Sequence, residues 1–314
     1  MSNKIIEVSN LSKTYQGEIK AVKNINFNVK EGEFFAFLGP NGAGKSTTIK
    51  MLTTLMKPTS GQAQIAGYDL LKEQDKIRLD IGVALQTTAI DPDLTGRELI
   101  ILQGRLFGFS KNKANERAKE LLELVNLLED ADRPCGNYSG GMQRRLDLAL
   151  TLVHHPKIIF LDEPTAGLDP TSRISLWKEI KKLNNKYGTT IFLTTQYLEE
   201  ADQVADRVCI IKEGEILIIE KQEVLKNSLA LDTIKLSFSS KEERDKTKLA
   251  IEEITSNIES EERAIKIHVQ NSREKLSTVI RKIAEINIFP TDIVTSSPTL
   301  DDVFLQLIKN QKNN

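Results

Sequence analysis

An α/β fold with a parallel sheet is predicted by three observations. Short, largely apolar runs recur along the chain, at Phe34–Leu38, Lys157–Leu161 and Thr189–Thr195. Runs of this kind suit strands covered on both faces, the condition of a parallel sheet. Each of the first two runs ends in turn or polar residues, Gly39-Pro40 and Asp162-Glu163-Pro164, and helical stretches separate them. That alternation is the signature of α/β architecture.

The elements follow in order. Behind Phe34–Leu38, the stretch Thr47–Leu55 has helix-forming composition. From about Leu94 to Leu152 the pattern is mostly helical. Ala118, Leu121, Leu122, Val125 and Leu128 fall at helical spacing within 114–129, which marks an inserted helical subdomain. Another domain is expected from Ser228 onward, dividing the chain into 1–227 and 228–314. Ile234, Leu236 and Phe238 alternate with polar residues, as do Ile265, Ile267 and Val269, giving two half-buried strands. Helices are expected over Lys241–Ser256 and at the stripe Leu276, Val279, Ile280 and Ile283. A third extended segment spans Ile286–Ser296. The last helix opens on a Thr299/Asp302 capping box and carries Leu300, Val303, Phe304 and Leu307 on one face. The resulting β-α-β-α-β-α order resembles a small ferredoxin-like α+β module.

Composition narrows the function classes. The 314 residues carry 43 Lys+Arg against 44 Asp+Glu, a net charge of -1. No overall field would gather nucleic acid or acidic lipid. Two cysteines, Cys135 and Cys209, are too few for a disulfide framework, and Cys209 sits in an apolar run as a small buried hydrophobe. A reducing cytosol fits. No secretory h-region and no apolar run near the ~20 residues of a membrane span is visible. Work at a membrane would need a partner to hold the chain there.

Gly39-Pro40-Asn41-Gly42-Ala43-Gly44-Lys45-Ser46 matches G-x-x-x-x-G-K-[ST] directly behind a predicted strand. Glycines let main-chain N–H groups turn inward around phosphate oxygens, and the helix opening at Thr47 adds its positive end. Lys45 would reach the β- and γ-phosphates and Ser46 would ligate Mg²⁺. The strand before Asp162-Glu163 delivers two adjacent carboxylates, a Walker B arrangement: Asp162 for Mg²⁺, Glu163 as general base toward water. Asp93-Leu94-Thr95-Gly96 fits D-x-x-G, but Asn185-Lys186-Tyr187-Gly188 lacks the Asp of a guanine-reading motif.

Tyr138-Ser139-Gly140-Gly141-Met142-Gln143 opens a helix, and Ser139 lies 23 residues before Asp162. With the P-loop and Walker B, this stretch resembles the signature motif of ABC ATPases, with Tyr and Met where Leu and Gln are usual. A hydroxyl and two unhindered N–H groups at a helix N-terminus make an anion site. The resemblance covers about residues 4–227 and implies an ABC cassette with a helical subdomain near 94–152. It further implies that Ser139, Gly140 and Gly141 close over ATP held by a second copy of the cassette. Gln86 resembles the Q-loop residue that touches Mg²⁺ and reports to a transmembrane partner. Asp169 in Ala166-Gly167-Leu168-Asp169-Pro170 resembles the D-loop at the dimer seam. Tyr15 resembles the aromatic that stacks on adenine, although an ordinary core tyrosine is the plain alternative.

One position departs from the family: Gln196 stands where most members have the switch histidine, and His154, His155 and His268 are not placed to substitute. A Gln amide can donate a hydrogen bond to a γ-phosphate oxygen but cannot shuttle a proton near neutral pH. Gln196, Tyr-Ser-Gly-Gly-Met and the ending Pro298-Thr299-Leu300-Asp301-Asp302-Val303-Phe304 together resemble the daunorubicin-resistance type of ATPase subunit. That resemblance implies a cytoplasmic, peripheral subunit on the inner face of the cell membrane. It would serve drug or secondary-metabolite efflux with a separately encoded permease, touching membrane only through it and no nucleic acid. The alternatives are a soluble ABC ATPase of translation or repair, or a regulatory nucleotide-binding module. Lys45 and Ser139 are 94 residues apart, too close for a repair-type coiled coil, and Glu163 speaks against a purely regulatory module.

Overall fold

The computed structural model describes residues 3–87, 90–229, 231–252, 254–255 and 257–304. They separate into two compact units, Met1–Lys221 and Gln222–Asn314.

The first unit opens with β1 (Lys4–Thr14) and β2 (Lys20–Lys30). Then come β3 (Phe34–Leu38), α1 (Lys45–Leu52), β4 (Ser60–Ile65), β5 (Tyr68–Asp69), α2 (Gln74–Asp80) and β6 (Ile81–Ala84). Three helices follow, α3 (Gly96–Leu106), α4 (Lys111–Leu124) and α5 (Gly140–Thr151). The unit closes with β7 (Ile158–Asp162), α6 (Pro170–Tyr187), β8 (Thr190–Thr195), α7 (Leu198–Val204), β9 (Arg207–Lys212) and β10 (Glu215–Lys221).

Two sheets organise this unit. The larger has the order β10-β9-β3-β8-β7-β6 and is parallel except for the β9–β10 hairpin. The apolar runs of the sequence occupy its centre, and every residue of β3, β7 and β8 is buried. The smaller sheet, β2-β1-β4-β5, is antiparallel. The two share one core in which the Phe192 ring lies 6.0, 5.6, 5.6 and 5.4 Å from those of Phe27, Phe35, Phe37 and Phe160. Aromatic clustering of this kind adds to area burial and holds the central strands rigid beneath the loops that leave them.

The helical stripe expected to run to Leu128 stops earlier. Asn126 takes φ +53 and its N–H bonds Glu123 O at 3.2 Å, while Leu127 N–H bonds Leu122 O at 2.8 Å. An Asn in the left-handed region ends α4, so Leu127, not Leu128, is the buried residue.

In the second unit, α8 (Gln222–Leu229) precedes β11 (Asp232–Ser237), α9 (Lys241–Glu252), β12 (Ile258–Ser260), β13 (Ala264–Val269), α10 (Ser272–Glu285) and β14 (Asp292–Ser296). The sheet order β12-β13-β11-β14 is antiparallel throughout, a βαββαβ arrangement of the ferredoxin type. It has one strand more than the sequence pattern suggests, the three-residue β12. The third extended segment is shorter than expected and begins only at Asp292, after Pro290. Ile234, Leu236, Ile265, Ile267 and Val279 form the core. Of the expected Lys241–Ser256 helix, Glu253 and Ser256 lie outside the described residues, as does Leu307 of the last helix. Among the described residues no helix is long and apolar enough to cross a membrane.

Candidate functional site

The loop Gly39–Gly44 leaves the C-terminal end of β3 and enters α1. Two of its glycines are sterically required. Gly44 takes φ +105, and a Cβ there would sit 2.4 Å from Ala21 O; one on Gly39 would sit 2.3 Å from Ile211 O. The loop therefore folds tightly against β2 and β9. Ala43 N–H bonds Pro40 O at 3.2 Å, and Gly214 N–H, from the β9–β10 turn, bonds Ala43 O at 3.0 Å.

Lys45 is buried, and its ammonium is held by three oxygens. It donates to Gly39 O at 2.7 Å and Pro40 O at 3.1 Å, and pairs with Glu163 Oε1 at 3.3 Å. Ser46 Oγ donates to Asp162 Oδ1 at 3.2 Å. The same carboxylate oxygen accepts from Thr194 Oγ1 at 2.5 Å, fixing Asp162 from the neighbouring strand β8. Glu163, immediately behind β7, takes φ +47 and its N–H bonds Thr194 O at 3.0 Å. Gln86 Nε2 donates to Glu163 Oε2 at 3.4 Å. Five of the expected residues thus converge, Lys45, Ser46, Gln86, Asp162 and Glu163.

Gln196 follows β8 directly, half-buried and without a hydrogen bond among the described residues. The histidines lie elsewhere. The His154 ring stacks on Phe107 at 4.0 Å, with Nε2 bonded to Ile81 O, and burial lowers its pKa; His268 sits on β13 of the second unit. Tyr15 is 39% exposed, so it is no core tyrosine. Its hydroxyl lies 3.2 Å from Thr47 Oγ1 on α1, beside the phosphate loop.

Ser139 caps α5, its Oγ accepting from Met142 N–H at 3.3 Å. Gly140 has open space where a Cβ would stand, whereas one on Gly141 would come within 2.6 Å of Ser172 Oγ. Asp169 caps α6, its carboxylate accepting from Thr171 and Ser172 N–H at 3.0 Å each, and the Ser172 hydroxyl first, then these backbone bonds, hold its pKa below the ordinary value. The Ser-Gly-Gly turn and the Asp169 turn therefore abut. Among the described residues, no hydrogen bond or ion pair joins Ser139, Gly140 or Gly141 to Lys45, Ser46, Asp162 or Glu163. Tyr138, in place of the usual Leu, is buried and donates to Asp130 O at 2.7 Å.

Two residues of the site escape sequence reasoning. Thr194 fixes Asp162, and its signal is a Thr-Thr pair closing a strand whose middle, Ile191–Leu193, is apolar. Arg144, on α5, carries no such signal, being one of two adjacent arginines on an amphipathic helix.

The arrangement has known counterparts. A family model described as ABC transporter matches residues 22–166. The chain is 40% identical over 308 residues to the daunorubicin/doxorubicin resistance ATP-binding protein DrrA of Streptomyces peucetius, covering 96% of this chain and 92% of that protein. Among solved structures, it is similar to the ATP-binding cassette MJ0796, a dimer in a post-hydrolysis state bound to ADP and Pi. There the TM-score is 0.64 at 35% identity, covering 69% of this chain and 98% of that one. CbiO1 of Clostridium perfringens, part of the ABC transporter complex cbiONQ, matches with a TM-score of 0.66 at 28% identity, covering 71% and 90%.

Proposed function

This chain belongs to the ABC transporter family, and we infer from that membership and from the site above that it is the ATP-hydrolysing subunit of a drug or secondary-metabolite exporter. It binds ATP and is an ATPase. The observation that carries the site assignment is the buried Lys45 ammonium, held at the mouth of the phosphate loop against Glu163, with Ser46 and Asp162 paired beside it.

In this reading, the loop N–H groups from Gly39 to Thr47 cradle the phosphates. The Lys45 ammonium exchanges its contact with Glu163 for the β- and γ-phosphate oxygens. Tyr15 stacks on the adenine. Glu163, released from Lys45, accepts a proton from water as the water oxygen attacks the γ-phosphorus and the bond to the β-phosphate oxygen breaks. Gln196 donates its amide N–H to a γ-phosphate oxygen. The oxygens of Ser46, Asp162 and Gln86 are hard donors of the kind Mg²⁺ takes together with water and phosphate. Bound there, the ion would neutralise charge on the β- and γ-phosphates.

The Ser139, Gly140 and Gly141 of a second copy complete the site, with Asp169 at the seam. This is supported by the open face of Gly140, the lack of any bond from this turn to its own Lys45 group, and the dimer formed by the similar cassette MJ0796. Closing two cassettes on two ATP molecules would drive a separately encoded permease, through which the chain would meet the cytoplasmic face of the membrane. The second unit is assigned to dimer stabilisation or permease docking.

Co-purification with a tagged membrane protein encoded beside it, followed by ATPase assay with candidate drugs, tests this reading. A stable complex whose ATPase rate rises with a transported drug is expected. A chain ending at Lys221 should bind ATP but lose the complex or the dimer. Failure of the full chain to bind any adjacent membrane protein would refute the exporter assignment, and full assembly by the truncated chain would refute the role of the second unit.

A further inference from the structure

Arg144 lies one turn into α5 and is 6% exposed. Its guanidinium donates to four oxygens. Nε reaches Pro164 O at 2.8 Å; Nη1 reaches Leu85 O at 2.6 Å and Asp147 Oδ2 at 2.9 Å; Nη2 reaches Asp162 O at 3.2 Å. Three of these are main-chain carbonyls, and their places along the chain are specific. Asp162 and Pro164 bracket Glu163. Leu85 precedes Gln86, whose amide bonds the Glu163 carboxylate.

Glu163 needs such support. At φ +47 it occupies the left-handed region, which disfavours a residue with a Cβ. Strain of this kind persists where surrounding structure over-determines the backbone. The bond from Glu163 N–H to Thr194 O holds one side. The planar fork of Arg144 holds the carbonyls before and after it at once, from separate nitrogens of one rigid plane that spans further than a single ammonium nitrogen.

Stability alone is a poor account of this group. Burial lowers the pKa of Arg144 and raises that of Asp147 to about 6, so the mutual attraction of the pair does not offset its desolvation. Apolar replacements of similar volume for such buried pairs are often neutral or stabilising.

We propose that Arg144 is a positioning residue for hydrolysis, its guanidinium setting the backbone on both sides of Glu163 and ahead of Gln86 so that the Glu163 carboxylate meets the attacking water. The proposal rests on Glu163 being the general base.

The test is a double-mutant cycle in the full-length chain. Arg144→Gln combined with Asp147→Asn removes the fork without leaving a buried charge. We expect ATP affinity, read with a fluorescent ATP analogue, to stay within threefold of wild type, and ATP turnover to fall at least tenfold. On a Glu163→Gln background the same pair of changes should lower the residual single-turnover rate by less than twofold, because the group it positions is already gone. Arg144→Lys, which retains the charge opposite Asp147, gives a second route if the double variant does not fold. It too should lose turnover at least fivefold on the Glu163 background and less than twofold on Glu163→Gln. Unchanged turnover, or an equal loss on both backgrounds, would overturn the proposal. Wild-type turnover in Glu163→Gln alone would instead overturn the assignment of the base itself.

Discussion

Replacing Glu163 by Gln separates two roles that its position combines. The side chain pairs with Lys45 at 3.3 Å in a buried setting. At an effective dielectric of ~20, that separation corresponds to a Coulomb attraction of about 5 kcal/mol. In the proposed reading, nucleotide binding exchanges this attraction for phosphate charge, and the carboxylate then repels the γ-phosphate. Glutamine has the same shape and the same backbone demands at φ +47, and its carbonyl can still accept from Gln86. Lys45 is not orphaned, since Gly39 O and Pro40 O remain. Binding should therefore be retained, between unchanged and about tenfold tighter, a gain of up to about 1.4 kcal/mol. Loss of a general base costs about 10²- to 10⁴-fold, or ~2.7 to 5.4 kcal/mol in the barrier. Phosphate release at saturating Mg-ATP measures turnover; titration with a fluorescent ATP analogue measures affinity; light scattering measures the dimer, which should accumulate because it no longer hydrolyses its way apart. A rate within threefold of wild type would remove Glu163 from the role of base. ATP binding weakened more than tenfold would show that the carboxylate supports the loop and does not compete with phosphate.

Gly44→Ala places a Cβ 2.4 Å from a main-chain oxygen at φ +105, so ATP affinity should fall more than tenfold and the thermal midpoint should drop; wild-type affinity would contradict the loop packing. Ser139→Arg should block ATP-driven dimerisation, seen by light scattering, while single-site nucleotide binding persists; an ATP-dependent dimer of normal stability would place Ser139 outside the seam. Gln196→Ala should abolish most turnover if the amide holds the γ-phosphate, and the wild-type rate should show no titration between about pH 6 and 8 that vanishes in this variant. Near-normal activity of the alanine variant would contradict the assignment.

Much of the site was legible because its chemistry is written in contiguous residues. Gly39–Ser46 and Asp162-Glu163 each lie at the end of an apolar run that becomes a buried strand. Ser139 and Asp169 carry helix-cap chemistry that needs only local sequence. The β1–β2 pair was harder to see, since its register shifts at several points, with Asn10 and Asn24 at positive φ, and interrupted alternation hides a strand. Strand β12 is only three residues long and mostly exposed, so it left no periodic trace.

Local order, by itself, determined which residues could form a phosphate loop, a carboxylate pair and a capped Ser-Gly-Gly helix, because those features depend on neighbours a few positions away. Tertiary structure alone decided what they meet. Thr194 reaches Asp162 only because β8 lies beside β7. Arg144 and Arg145 look alike in sequence, yet the first spans Leu85, Asp162 and Pro164 while the second bonds Val125 O and Asn126 O. Which oxygen a long side chain finds is set by strand order and helix packing, and residues distant along the chain share those only after folding.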